Sequence, residues 1–373
     1  MHLITPALSR FFPLSKFRYM VPAAVLMTAA IDVAEAAVTF NDPVVLIADM
    51  TISDGDHIDF KSTIDGPHNL TLNTPGVTTF QGTVGGTLPL AALTTDAAGT
   101  TTLGGNVTAM AIHFNDLVTL TSEVTLGGVI SLASLAGGGR NLTLAAGSGP
   151  GGSMVQGVVN NLGSGTGAAL TISPGVIGPV HFLGTLGGNS GLLATPGSNV
   201  SFEQDVTLGN GDTGTNLPGL VALNGLTFSG YDGISFGTTT VRGKSTINAN
   251  GFPLALGATT LAGTLTLVGA TTLNLGTVSG NVAGGLLALN ASGAVSVGSI
   301  GPNIDTVTLI NSGGATFAAL TAVTLALQGT NGNIVFNGDL SLGNLNTAAQ
   351  NYNLALLGAS NFVISATTFN NTG

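Results

Sequence analysis

The chain of 373 residues contains no cysteine and no tryptophan. Without cysteine no disulfide can staple the fold, and no thiolate is available to hold zinc. Charge is nearly as scarce: Asp, Glu, Lys and Arg make up 6% of the chain, against about 25% in an ordinary globular domain. Only seven residues are basic against 17 acidic ones. A nucleic acid or an anionic membrane surface is held by a basic footprint, and this chain has none. Tyrosines number three, so stacking platforms for sugar rings are nearly missing. No apolar run reaches the roughly 20 residues that a membrane-spanning helix needs.

What the chain does have is glycine, 57 residues of it, together with 44% apolar residues and a mean hydropathy of +0.51. Glycine at this level with few apolar residues would mean disorder, but here there is enough apolar surface for a core. Leu, Val, Ala and Ile alternate with Thr, Ser and Asn in stretches of three to five residues, broken by Gly, Asn-Gly or Pro-Gly. That grammar predicts many short strands joined by tight turns.

Residues 1–36 stand apart from it. Arg10, Lys16 and Arg18 form a basic start, Met20 to Ile31 an apolar stretch, and Ala34-Glu35-Ala36 an A-x-A cleavage site. This is the pattern of a secretory signal peptide, leaving 37–373 as the repeat region. Its removal takes three of the seven basic and two of the 17 acidic residues, so the remainder carries four against 15, a net charge of −11.

A strand phrase recurs along that remainder: FNDPVVLIADMTI from Phe40, FNDLVTLTSEVTL from Phe114, FEQDVTLG from Phe202 and FNGDLSLG from Phe336. The first two copies are offset by 74 residues throughout. A second block recurs with small insertions, from Asn69-Leu70-Thr71-Leu72 through Pro75-Gly76, and from Ala169-Leu170-Thr171-Ile172 through Pro174-Gly175. Repeated short strands of this kind predict a parallel β-solenoid, with Val, Leu, Ile and Phe inside and Thr, Ser and Asn outside. Strands this short, without aromatic girdles, argue against an outer-membrane barrel. A coil of about 20 residues would give on the order of 17 coils. The segments 318–328 and 345–358 have apolar content suited to helices, but their Val, Thr and Asn favour strand. The chain stops at Thr367 to Gly373 in repeat grammar without a polar cap, so the region is expected to be the N-terminal part of a longer array, or to be covered by a neighbour.

The FND…VTL phrases and the stretch NLTLNTPGVTTFQGTVGGTLPLAALTTDAAGTTTLGGNVT (Asn69 to Thr108) resemble the β-strand repeats of very large bacterial exoproteins, the filamentous-haemagglutinin-like and autotransporter adhesins. The resemblance covers most of the repeat region and is strongest from Phe40 to about Gly209. It implies an all-β, right-handed parallel β-helix, secreted or displayed at the surface of a Gram-negative cell and associated with its outer membrane. It implies adhesion or surface structure as the role, with a host-cell, matrix or self-association partner, and an outer-membrane transporter during export. The Asn-Pro-Asn secretion motifs of haemagglutinin-type domains are missing, with only Gly301-Pro302-Asn303-Ile304 near them. The export route, autotransporter or two-partner, therefore stays open.

Motifs with chemistry are few. GSGPGG (147–152) and GNGDTG (209–214) fit G-x-G-x-x-G, but neither opens a helix pattern with an acidic residue about 20 positions on. Gly237 to Ser245 has one residue too many for a P-loop. His113 and His181 each precede a Phe in a strand and are expected to face outward, and no paired metal-ligand spacing involves His57 or His68. Asp42, Asp49, Asp54, Asp56, Asp59 and Asp65 bring six of the 15 acidic residues into 24 positions. Asp54, Asp56 and Asp59 make a candidate Ca²⁺ site, since a hard cation takes six to eight oxygens. The competing reading is a charged first coil that blunts a sheet edge. No other cofactor is expected. Two alternatives to an adhesin remain: a β-helix polysaccharide lyase or hydrolase, which would need convergent carboxylates or basic groups on one face, and a Thr-ladder protein that binds a surface or ice, suggested by Thr238-Thr239-Thr240 and Thr271-Thr272.

Overall fold

A computed structural model of the chain describes residues 25–27, 31–33, 37–146, 152–173 and 179–373. Every regular element among them is a β-strand, and the strands pair in parallel, coil upon coil. The fold is an all-β parallel β-helix of about 16 turns. The chain divides into two compact units, Met1–Asn189 and Ser190–Gly373.

In the first unit each coil has three faces. Face A is built from Val38–Phe40, Ile58–Phe60, Val77–Phe80 and Thr100–Leu103, followed by residues 117–120. Face B runs from Val44–Leu46 through Ile64, Val84 and Val107 to Leu126 and Leu144. Face C stacks Met50–Asp54, Asn69–Asn73 and Leu90–Thr95, followed by residues 109–114 and 129–132. Val38 pairs with Ile58, Val44 with Ile64 and Met50 with Leu70, so all three faces advance by the same 20 residues. Alternation then turns every second side chain inward, as in Val38 and Phe40 around the half-exposed Thr39. Phe40, Phe60 and Phe80 stack with ring centroids 4.7 and 5.4 Å apart.

The coil length is not constant. Leu142 pairs with Leu170 and Ser153 with Val180, steps of 28 and 27 residues. The extra residues fall in corners, where a loop can lengthen without disturbing the strands on either side.

The second unit repeats the three-faced plan. Face D pairs Ile234 and Phe236 with Leu254 and Leu256, then with Leu273 and Leu275. Face E stacks Val200 and Phe202 on Val221 and Leu223, then on Thr239 and Val241. Face F carries Phe228, Ile247, Leu267, Leu289, Leu309 and Leu327 in one inward column. Phe228 joins the three across the core, meeting Phe202 edge-on at 5.6 Å and Phe236 at 5.1 Å.

Between faces D and E the corner needs glycine. A β-carbon on Gly257 would lie 2.7 Å from the carbonyl oxygen of Gly237 in the coil before it. The same substitution at Gly276 would approach Gly257 to 2.9 Å, and at Gly298 would approach Gly276 to 2.8 Å. Stacked turns come this close only where no side chain intervenes.

The structure corrects the meaning of the recurring phrase. Phe40 lies on face A over Phe60, whereas Phe114 lies on face C and pairs with Leu132. On face A, Phe40 leads through Phe60, Phe80 and Leu103 to Leu120 in four coils, so Phe114 falls one face short of a whole number. The second block is displaced in the same way, with Asn69–Asn73 on face C and Leu170–Ile172 on face B. The phrase thus specifies one face and its corner, and any of the three faces can use it.

The segments 318–328 and 345–358 are strands, within Leu320–Thr330, Leu340–Thr347 and Tyr352–Leu356. Of the expected signal peptide at 1–36, Val25–Met27 pairs with Val44–Leu46, and Ile31–Val33 pairs with residues 52–54. The rest of that segment, including the Ala34–Ala36 cleavage site, lies outside the described residues. Among those residues no helix is long and apolar enough to cross a membrane.

Candidate functional site

The acidic coils near the N-terminus are the densest collection of ionisable groups predicted from sequence. Asp59 sits in the middle of Ile58–Phe60 and is flanked in register by Thr39 and Thr79, on the outward side of face A. Asp54 ends the strand Met50–Asp54 and turns inward, where its Oδ1 accepts the Asp56 N–H at 2.6 Å. Burial pushes the Asp54 carboxyl above the usual carboxylate range. Asp56 is exposed, with its Oδ1 2.7 Å from His57 Nδ1. The three candidate calcium ligands are therefore not brought to one point. Among the described residues no group of three or more His, Cys, Asp or Glu side chains could hold a metal ion.

Several other carboxylates share a job that the sequence did not reveal. Asp49 accepts the Asn69 main-chain N–H at 3.0 Å and its side-chain amide at 2.9 Å. These two hydrogen bonds hold the Asp49 carboxyl below its usual range. Asp65 accepts the N–H groups of Thr87 and Leu88, Asp205 that of Thr227, and Asp339 that of Ser360, at 2.8–3.1 Å. Asn106 and Asn199 do the same for Thr125 and Leu220. At a corner the strand ladder stops, and a main-chain N–H of the next coil needs another acceptor. An Asp or Asn about one coil earlier supplies it. The signal was available as an Asp or Asn recurring some 20 residues before a corner, but it becomes visible only once the corners are known.

Asp116 is the most buried carboxylate of this kind, 5% exposed, at the corner between faces C and A. Its Oδ1 accepts the Thr95 hydroxyl and its Oδ2 the Thr101 hydroxyl, each at 2.8 Å. Both threonines are fully enclosed, at 1% and 0% exposure. Burial raises the Asp116 carboxyl above its usual range, and the two hydroxyl donors oppose the rise.

His113 and His181 face outward, each between buried neighbours. They share one column of face C, in which His113 is followed by Ser131, Met154 and His181. Three coil steps of about 4.8 Å place them about 14 Å apart, too far to share a ligand. Lys61, Arg140, Arg242 and Lys244 are all exposed. GNGDTG is a loop between Val206–Leu208 and Thr215–Asn224, and Gly237 to Ser245 lies within the strand Ile234–Asn248, so neither opens a helix. GSGPGG falls outside the described residues up to Gly151.

The threonines are placed differently from the sequence expectation. Thr239 points into the core beside the outward Thr240, and Thr271 and Thr272 form an exposed corner. A larger array stands on face F, in two outward columns. The first runs Lys244, Thr264, Leu286, Thr306, Thr324 and Asn344. The second runs Thr227, Thr246, Thr266, Ala288, Thr308 and Ala326. Register irregularities flank these columns, between Gly285 and Leu286 on one side and between Leu289 and Asn290 on the other.

No family model, curated protein or solved structure matches the chain.

Proposed function

We propose that the protein is an exported, non-catalytic repeat protein of the structural or adhesin type, secreted or held at the cell surface. The β-solenoid is compatible with that role, since it turns a long chain into stacked faces whose outward side chains can be varied without touching the core. The observation that carries the reading is the placement of the carboxylates. Asp49, Asp65, Asp205 and Asp339 bind main-chain N–H groups at corners, and Asp54 and Asp116 turn into the interior. General acid–base catalysis on a polysaccharide would ask such groups to converge on a substrate groove instead. The basic start and A-x-A site of residues 1–36 support export, with an outer-membrane transporter completing it.

Two measurements test this. Epitope-tagged protein in producing cells is expected to be labelled by antibody and cut by added protease without lysis, and label confined to the cytoplasm would refute export. Purified protein is expected to release no reducing ends from a panel of polysaccharides. Release that scales with protein concentration and is lost on substituting a clustered pair of acidic residues would establish the enzymatic alternative.

A further inference from the structure

We propose that face F binds the surface of ice. This goes beyond the adhesin reading and does not depend on it.

Threonine is concentrated on this face. It fills three of the six positions in the first column and four of the six in the second. The outward column of face D in the same unit runs Asn216, Ser235, Ala255, Asn274, Ser296 and Thr316, with one threonine. Strand propensity alone would favour threonine equally on both faces. Its concentration on one face needs a cause belonging to that face.

The array is regular in two directions. Neighbours within a column are about 4.8 Å apart, and the two columns, at positions i and i+2 of each strand, are about 6.6 Å apart. Pairing is unbroken across both columns from residues 244 and 246 to 324 and 326, although the coils differ in length. The irregular residues are expelled to the corners, so variable coil length does not disturb the face. Threonine is stiff at χ1, so each hydroxyl and methyl is held with little freedom to lose on binding.

A ligand that uses such a face must itself repeat in two dimensions. Charge complementarity narrows the class. The two columns hold no carboxylate and a single cation, Lys244, at one margin. A charged mineral or a polyanion would find no counter-charge there. A crystalline sugar polymer would want aromatic platforms, which the columns lack. Ice is a neutral lattice of donors and acceptors, and a threonine array offers it hydroxyls to join and methyls to shelter.

The test uses the whole purified chain. It is expected to be enriched in a slowly grown ice fraction and to depress freezing below melting. Thr266→Lys combined with Thr308→Lys should abolish both effects, while Ser235→Lys combined with Ser296→Lys on face D should leave them intact. Far-UV circular dichroism identifies any variant that fails to fold. If the lysine pair does, Thr266→Ser with Thr308→Ser keeps the strand and should still reduce the freezing depression. Exclusion of the wild-type chain from ice would overturn the proposal. So would equal losses from the two faces, or retention on crystalline cellulose together with exclusion from ice. None of these results bears on surface display, which the labelling experiment decides separately.

Discussion

Replacing Asp116 by Ala removes the carboxylate that two buried threonine hydroxyls share. Thr95 and Thr101 each donate to it at 2.8 Å, and neither has contact with solvent through which to recover the bond. A buried donor left without a partner costs about 1–3 kcal/mol, so Asp116→Ala is expected to lose about 2–6 kcal/mol. Asp116→Asn should cost only about 1 kcal/mol, because the amide oxygen still accepts one hydroxyl and the other hydroxyl can turn to accept from the amide nitrogen. The two variants also separate in their pH dependence. Burial raises the Asp116 pKa in the folded chain above its unfolded value, so the folded chain binds that proton more tightly. Stability from this group is then greatest at acid pH and falls as pH rises through the raised value. Wild type should gain on Asp116→Asn as pH drops from 7 toward the ordinary aspartate range. Long repeat arrays can unfold in sections, so a local readout is needed. Hydrogen exchange of peptides spanning 90–120, followed against pH, supplies it. Wild-type exchange rates in Asp116→Ala, or parallel pH profiles for wild type and Asp116→Asn, would refute the reasoning.

Phe60→Ala should destabilise the first unit by about 3–5 kcal/mol, because the ring is buried and stacked between Phe40 and Phe80; exchange rates at residues 38–80 will report it. Gly276→Val should cost about 1–3 kcal/mol through overpacking against Gly257, whereas Gly301→Ala, whose nearest neighbour is a carbonyl oxygen 3.8 Å away, should be close to neutral in a thermal melt. Carbon-detected titration should find Asp49 below and Asp54 above the usual carboxylate range, since hydrogen bonds from Asn69 favour the charged form of one and burial disfavours that of the other. Equal values would show that the corner bond and the buried turn are both misassigned. Calcium or EDTA should leave the melting curve unchanged, because Asp54, Asp56 and Asp59 do not converge; a calcium-dependent rise would restore the metal reading.

Much of the fold was legible because its rules are local. Alternation in Val38-Thr39-Phe40 or Val180-His181-Phe182 says which side chains turn inward, wherever the strand lies. Glycine between such stretches marks corners, and a lack of charge is compatible with faces of Thr, Ser and Asn. The outward placement of His113 and His181 followed from the same rule. The candidate site was less legible. Asp54, Asp56 and Asp59 look alike in the sequence, yet one is buried, one is exposed at a corner and one faces out from a strand. Which of these happens depends on where the chain turns and on what the next coil brings to that point.

By itself the sequence determined that the chain is all-β, coiled and parallel, with an aliphatic core and an uncharged exterior. Those properties follow from residue type and a period of two, which need no knowledge of distant neighbours. The tertiary structure alone decided which face each segment occupies. Phe40 and Phe114 begin the same phrase, yet one stacks on Phe60 and the other pairs with Leu132, because corner lengths accumulate along the chain until a repeated phrase arrives one face early. It likewise decided that threonines from six different coils stand together on face F. Register across coils is set by strand pairing with residues some 20 positions away, and no local pattern contains that partner.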